Sequence, residues 1–333
     1  MRPGKYRGSW GGVRWGKCLA MAIGLSLLLL AAAGCTADSP KPSNTASVIM
    51  YLRAIGAHNP DPKTRNPDYL AAKLADEDVL RQKMGWRGEF EPLVQRLIDK
   101  KSWMFFYFTA RTKHIDVVLR KELEAGADQV VILGAGYDTR AYRFHKEFPK
   151  VRFFEVDLPA MSAAKKEIMR EKLANLPVNV TYAPIDFNTQ DLGAVLAKLG
   201  YQNNQKTLFI WEGVIYYLDP AAVESTLQFI AKNAAPGSSV VFDYLPPSVV
   251  KGTYTKNPYA KIVANYVRSL GEPFTFGIEP DNSSTFLKKQ GLTQVSDIGH
   301  DYLVTEYMTS SNGKPFGTLP DFFWITQARV SGK

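Results

Sequence analysis

The feature that most narrows the fold is an alternation that begins at Gln129. Short apolar runs, "QVVILG", "VRFFEVD", "VNVTYAPID", "TLFIWEG" and "SSVVFDYL", are separated for the most part by stretches such as "LPAMSAAKKEIMREKLANL" and "PAAVESTLQFIAKNAAPG", whose apolar residues recur three and four apart. Runs of that length with apolar residues on both faces read as strands buried from both sides. Strands alternating with helices predict an α/β fold with a doubly wound, mostly parallel seven-stranded sheet. The last two runs, "QVSDIGHDYL" and "DFFWITQARV", have no convincing helix between them, so a closing antiparallel hairpin is expected. Upstream, residues 48–125 carry helical spacing, in "SVIMYLRAIGA", in "PDYLAAKLADEDVLRQKMG" and from Phe90 onward. They form a helical N-terminal segment ahead of a sheet domain over 126–333.

In such a sheet, ligands bind beyond the carboxyl ends of the strands, where the strand order reverses. "VVILGAGYDT" puts Gly134 and Gly136 at the end of the first strand, where glycine permits a tight turn and a close approach of backbone to ligand. Asp138 is placed to cap the next helix. A dinucleotide fingerprint needs a third glycine where Thr139 stands, which weakens a nicotinamide cofactor. Acids close the next three strands: Glu155 and Asp157, then Asp186 followed by Phe187, then Glu212. A carboxylate about 20 residues past the glycines can accept from ribose hydroxyls. Asp186 can accept from an adenine amino group while Phe187 packs on the ring. Acids at three strand ends repel a pyrophosphate and suit a cationic nucleoside without phosphates, which describes S-adenosyl-L-methionine.

The stretches "TARTKHID", "LGAGYDTRAYR", "FFEVDLPAMSAAK", "IDF" and "WEGVIYYL" together resemble the leucine carboxyl methyltransferase family, including its bacterial S-adenosylmethionine-dependent members. The resemblance runs from about Ser47 to the C-terminus. It implies a class I methyltransferase-like (Rossmann-like) sheet with a helical N-terminal extension. Carried over by position, it implies that Arg111 pairs with the methionine carboxylate, Gly134 admits the ligand to the backbone, and Asp157 binds the ribose. It also implies that Asp186 and Phe187 hold the adenine and that Glu212 lies near the amino-acid end. The family has a further basic residue in its first helix, for which this sequence offers Arg53. From the residues alone, Arg111 reads equally as an exposed helix arginine near Asp116. Arg140 and Arg143 read as partners of Asp138 or Glu147, or as anchors for a substrate carboxylate.

The chemistry expected is methyl transfer to an oxygen nucleophile, a carboxylate of a small molecule or peptide. A carboxylate is ionised at neutral pH and needs no general base. The four histidines, His58, His114, His145 and His300, sit in no recognisable base motif. A phenol or alcohol acceptor would need a base, for which Tyr217 and His300 are the candidates.

Charge bears on partners. The formal net charge is +9, but residues 1–35 hold five basic residues and no acid, so the remainder is only mildly basic. No basic run interleaved with aromatics stands out, which argues against a nucleic-acid partner. Both cysteines, Cys18 and Cys35, lie in that first stretch, leaving the folded part without a disulfide or a thiolate metal site. "MRPGKYRGSWGGVRWGK" followed by "CLAMAIGLSLLLLAAA" has the order of a signal peptide, and "AAGC" resembles a lipoprotein lipobox that implies acylation of Cys35. Residues 36–47 then form a polar tether. These features place the protein in the cell envelope, held to the membrane by a lipid or signal anchor. Since the methyl donor is cytosolic, three resolutions stay open: a start codon near Met50 and a cytoplasmic protein, a non-catalytic envelope lipoprotein that keeps the fold, or an exported enzyme. A nicotinamide-dependent oxidoreductase is the remaining rival.

Overall fold

The computed structural model describes residues 44–75, 78, 89–173, 175–186 and 189–331. The proposed signal peptide, Cys35 and Phe187 lie outside the described residues. Helix α1 spans Asn44–Ala57, so the last four residues of the stretch read as a tether are helical. They are fixed from outside the helix: Thr45 Oγ1 donates to Glu272 (2.5 Å), a contact that local sequence cannot announce. Helix α2, Tyr69–Leu74, is capped by Asp68, whose carboxylate accepts the Ala71 N–H at 3.0 Å. Helices α3, Phe90–Asp99, and α4, Trp103–Glu124, are separated at Lys101, whose φ of 51° no helix accommodates.

The strands are β1 (Gln129–Leu133), β2 (Arg152–Asp157), β3 (Val180–Pro184), β4 (Thr207–Trp211), β5 (Ser239–Tyr244), β6 (Leu292–Ile298) and β7 (Trp324–Val330). They form one sheet in the order β3-β2-β1-β4-β5-β7-β6. The first five are parallel, and β7 runs antiparallel between β5 and β6. The parallel sheet and its antiparallel close agree with the reading of the sequence. One detail does not: an eight-residue helix, His300–Tyr307, joins β6 to β7, and it begins inside the run read as the sixth strand. "IGHDYLVTEY" alternates poorly, and the helix is held by packing on α4.

Between the parallel strands lie α5 (Arg140–Phe144), α6 (Pro159–Lys172), α7 (Leu192–Lys198) and α8 (Pro220–Asn233). After β5 come α9 (Pro247–Val250), α10 (Pro258–Ser269) and α11 (Ser283–Lys289); His300–Tyr307 is α12. Helix α4 ties the N-terminal helices to the sheet, packing on α1, β4 and α12. Its Phe105, Phe106, Ile115 and Leu119 are buried, each such side chain contributing about 1.5–3 kcal/mol relative to exposure. His114 is buried on the same helix, with Nδ1 3.1 Å from the Tyr307 hydroxyl.

Burial pushes the His114 imidazole down to about 4. As pH falls the unfolded chain takes up that proton first. Stability is therefore lost between about pH 6.5 and 4, by about 3 kcal/mol over the whole window. His114→Gln keeps a hydrogen-bond partner for Tyr307 and removes this titration. Urea unfolding at about pH 7 and about pH 4.5 should show an acid loss smaller by about 2 kcal/mol in the variant.

Candidate functional site

The strand order reverses between β1 and β4, and the carboxyl ends of these two strands frame the site. Gly134 follows β1 with φ +65°, and Gly136 has φ +43°. A Cβ on Gly134 would stand 2.4 Å from Val214 Cγ2, in the turn after β4. At Gly136 the nearest side-chain atom is Ala46 Cβ of α1, at 3.7 Å. Gly134→Ala should therefore cost about 1–3 kcal/mol in thermal unfolding, and Gly136→Ala clearly less, because only the first combines a left-handed backbone with a collision.

Asp157, at the end of β2, accepts the Gly136 N–H at 2.6 Å and the Leu158 N–H at 2.7 Å, one on each carboxylate oxygen. Burial raises its pKa, partly offset by those two backbone donors. Each oxygen keeps a further lone pair for a hydroxyl donor. Asp138 accepts the Arg140 N–H at 2.7 Å, so the first turn of α5 is already capped by a carboxylate. A pyrophosphate would have to displace that negative group from the helix start.

Behind this rim runs a buried chain of alternating charges. Arg53 on α1 pairs with Asp68 at 3.2 Å, and Asp68 lies 3.7 Å from Arg143. Asp116 takes both Arg143 (2.5 Å) and Arg140 (2.8 Å). Arg140 also reaches Asp138 (2.5 Å) and Glu212 (2.6 Å). Arg111 Nε lies 2.9 Å from Glu212, out of line for a hydrogen bond, and Arg111 Nη1 donates to Asp243 at 2.6 Å. Asp243 also accepts from the Gly213 N–H (2.6 Å), the Tyr107 hydroxyl (3.1 Å) and the Tyr216 hydroxyl (3.3 Å). Burial opposes ionisation of Asp138, but Arg140, Lys165 and Arg53 outweigh it and hold the carboxyl at about 2. The same opposition at Glu212, with Arg140 and Arg111 prevailing, leaves its pKa lowered. Five carboxylates (Asp68, Asp116, Asp138, Glu212, Asp243) face four guanidiniums (Arg53, Arg111, Arg140, Arg143), so the chain keeps a formal charge of −1.

The sequence profile of the family described as "Leucine carboxyl methyltransferase" matches residues 46–231, more than half of the chain. The chain belongs to that family. A Bacillus subtilis protein named "Putative S-adenosyl-L-methionine-dependent methyltransferase" is 32% identical over 192 residues, covering 58% of this chain and 62% of the relative. A Frankia alni protein of the same description is 36% identical over 199 residues, 58% and 65% of the two chains. The matched stretch thus spans just under two-thirds of these relatives' length. A Mycobacteroides abscessus relative, again of that description, is 32% identical over 228 residues, 66% and 70% of the two chains. The crystal structure of a Thermobifida fusca protein, titled a "putative methyltransferase", superposes with a TM-score of 0.53 over 88% of this chain and 96% of the other, at 15% identity. At that identity the likeness is one of fold, and the fold is the class I methyltransferase sheet.

Within the leucine carboxyl methyltransferase family fold, the site residues read from the sequence divide into two groups. Gly134, Gly136 and Asp157 come together at the switch point, and Asp186 lies half-buried just past β3, on the same rim. Arg111 is buried, 1% exposed, with its guanidinium 4.9 Å from the Phe108 ring. The exposed alternative for Arg111 is overturned, because Asp116 is taken by Arg140 and Arg143. Arg111 Nη2 makes no hydrogen bond among the described residues. Two of the four strand-end acids are held in ion pairs. Glu155 is buried against Lys165 (2.7 Å), and Glu212 lies between two arginines. Arg143 does not pair with Glu147, which binds Arg120 instead.

The two expected bases, Tyr217 and His300, lie in different parts of the fold. Burial, then Glu272, pushes the Tyr217 phenol upward, and its ring lies 4.9 Å from Tyr216 and 5.4 Å from Phe274. His300 opens α12, where its Nδ1 lies 2.9 Å from Asp301, three strands along the sheet from β4. At about 4.8 Å per strand that is roughly 14 Å from the β4 turn. The sequence reading missed Asp243, although the rule that drew attention to acids at strand ends finds it one strand further on, in "VVFDYL". It also missed that Arg140 is the node of the ion chain.

Proposed function

We propose that the protein is an S-adenosyl-L-methionine-dependent O-methyltransferase whose acceptor is a carboxylate of a small molecule or peptide. The observation that carries this reading is the switch point itself. Two left-handed glycines open the backbone, and between them and α6 stands Asp157 with lone pairs left for ribose hydroxyls. The donor set fits the group. Asp157 and Asp186 would hold the nucleoside, and the spare N–H of Arg111 would hold the amino-acid carboxylate, with Glu212 beside it. The carboxylate of Asp138 at the start of α5 speaks against a phosphate-bearing dinucleotide. The net negative ion chain beneath the rim favours a ligand with a sulfonium and an ammonium.

When bound, S-adenosylmethionine supplies the electrophilic methyl group. The chain's own residues supply alignment: the glycine turn and Asp157 fix the nucleoside, and Arg111, braced by Asp243 and Glu212, fixes the other end. No proton need be removed from a carboxylate acceptor, which suits a site whose candidate base, Tyr217, is held protonated. Incubation with methyl-labelled donor and candidate acceptors tests this reading. Label released as methanol by mild alkali supports a carboxyl ester. Alkali-stable label would replace the carboxylate with a phenol or alcohol.

As part of the same proposal, residues 1–35 direct the protein to the cell envelope, with Cys35 as the lipidated residue. Mass spectrometry of the mature N-terminus checks it. A chain retaining residues 1–34 and an unmodified Cys35 would rule out lipobox processing.

A further inference from the structure

The molecule carries a second surface that the methyl-transfer reading does not use. Trp103 opens α4, and its ring centroid lies 5.6 Å from that of Tyr259 on α10 and 6.3 Å from that of Phe322. Tyr254 meets Phe322 at 5.9 Å. Tyr259 is 41% exposed, and Trp103 and Tyr254 are half-buried, so the cluster has a wet side. Five exposed lysines flank it, Lys100, Lys101, Lys251, Lys256 and Lys261, each within three residues of one of these aromatics. Residues 247–261 contain no acid. Of the nearest acids in sequence, Asp99 accepts from Gln95 at 2.8 Å, and Asp321 lies beside Tyr254 with its Oδ1 buried.

Trp103 lies one helical turn before Tyr107, which bonds Asp243 at the carboxyl end of β5. The aromatic cluster therefore sits beyond the same rim as the ligand site. The chain enters at this rim too, since Thr45 bonds Glu272 just past α10, whose other end carries Tyr259. Twelve residues of helix put those two ends about 18 Å apart. On the proposed lipidation, Cys35 is separated from Asn44 by eight residues, which reach at most about 30 Å. A bilayer that takes up the lipid on Cys35 is thus within reach of the aromatic face.

Aromatic rings with one wet edge, surrounded by ammonium groups on long stems, match the headgroup level of an anionic bilayer, and the ammonium groups complement its charge. We propose that this aromatic–lysine face docks on the surface of an anionic lipid bilayer. The proposal does not depend on which cofactor the rim holds.

Amide hydrogen exchange of the full chain tests it, on phosphatidylcholine vesicles with and without phosphatidylglycerol. Exchange over residues 100–104 and 251–261 should slow about ten-fold only when phosphatidylglycerol is present. The combined Lys101→Glu and Lys256→Glu variant should lose that protection while its exchange elsewhere is unchanged. Equal exchange of both segments with and without phosphatidylglycerol overturns the proposal, whether or not another part of the chain holds it to the vesicle. Protection that appears without vesicles as protein concentration rises also overturns it, because a second copy then covers the face.

Discussion

Replacing Arg140 by methionine is expected to destabilise the protein by about 3–5 kcal/mol at neutral pH, the range for breaking a buried ion pair from one side. The guanidinium is 1% exposed and faces Asp116, Asp138 and Glu212 at 2.8, 2.5 and 2.6 Å. Methionine fills much of the space but leaves three carboxylates without their shared cation. The pH dependence separates this cause from simple loss of packing. In the parent, Asp138 is held at about 2 and Glu212 is lowered, so both contribute stability above their unfolded values that disappears as pH falls toward the folded ones. In the variant, burial prevails and both carboxyls move up, so the folded state binds protons first and gains stability as pH falls. The gap between variant and parent should therefore narrow between about pH 7 and about pH 4 in urea titrations. A gap constant across that range would assign the loss to packing alone.

The second large effect is on ligand binding. Asp157→Ala should weaken S-adenosylhomocysteine binding about 100-fold, since a charged acceptor loses two hydroxyl donors at about 1.5–3 kcal/mol each, offset in part by water. The variant also strands the Gly136 N–H, now bonded at 2.6 Å, so a stability loss of about 1–2 kcal/mol accompanies it. Calorimetric titration and thermal unfolding on the same sample separate the two. An unchanged dissociation constant would remove Asp157 from the ligand site.

Much of the fold was legible because buried parallel strands leave a plain mark. "QVVIL", "RFFEVD" and "TLFIW" are apolar on both faces, and each forms a strand within a residue or two of its sequence limits. The helix His300–Tyr307 was not legible, because its short sequence carries weak periodicity and its position is set by contact with α4. At the site, the glycine turn and Asp157 are local features and stand where their spacing put them. The partners of the charged residues are not local. Arg111 meets Asp243 across 132 positions, and Arg140 meets Glu212 across 72. Counting acids at strand ends therefore overstated the free negative charge, since Glu155 and Glu212 had cations waiting on α6, α4 and α5.

The central claim is that the rim between β1 and β4 holds a phosphate-free adenosyl ligand. Calorimetric titration of the unaltered chain with S-adenosylhomocysteine, run beside NAD under the same conditions, tests it most directly. The account predicts saturable one-to-one binding of the first and no heat of binding from the second. Binding of NAD with no binding of S-adenosylhomocysteine would contradict it.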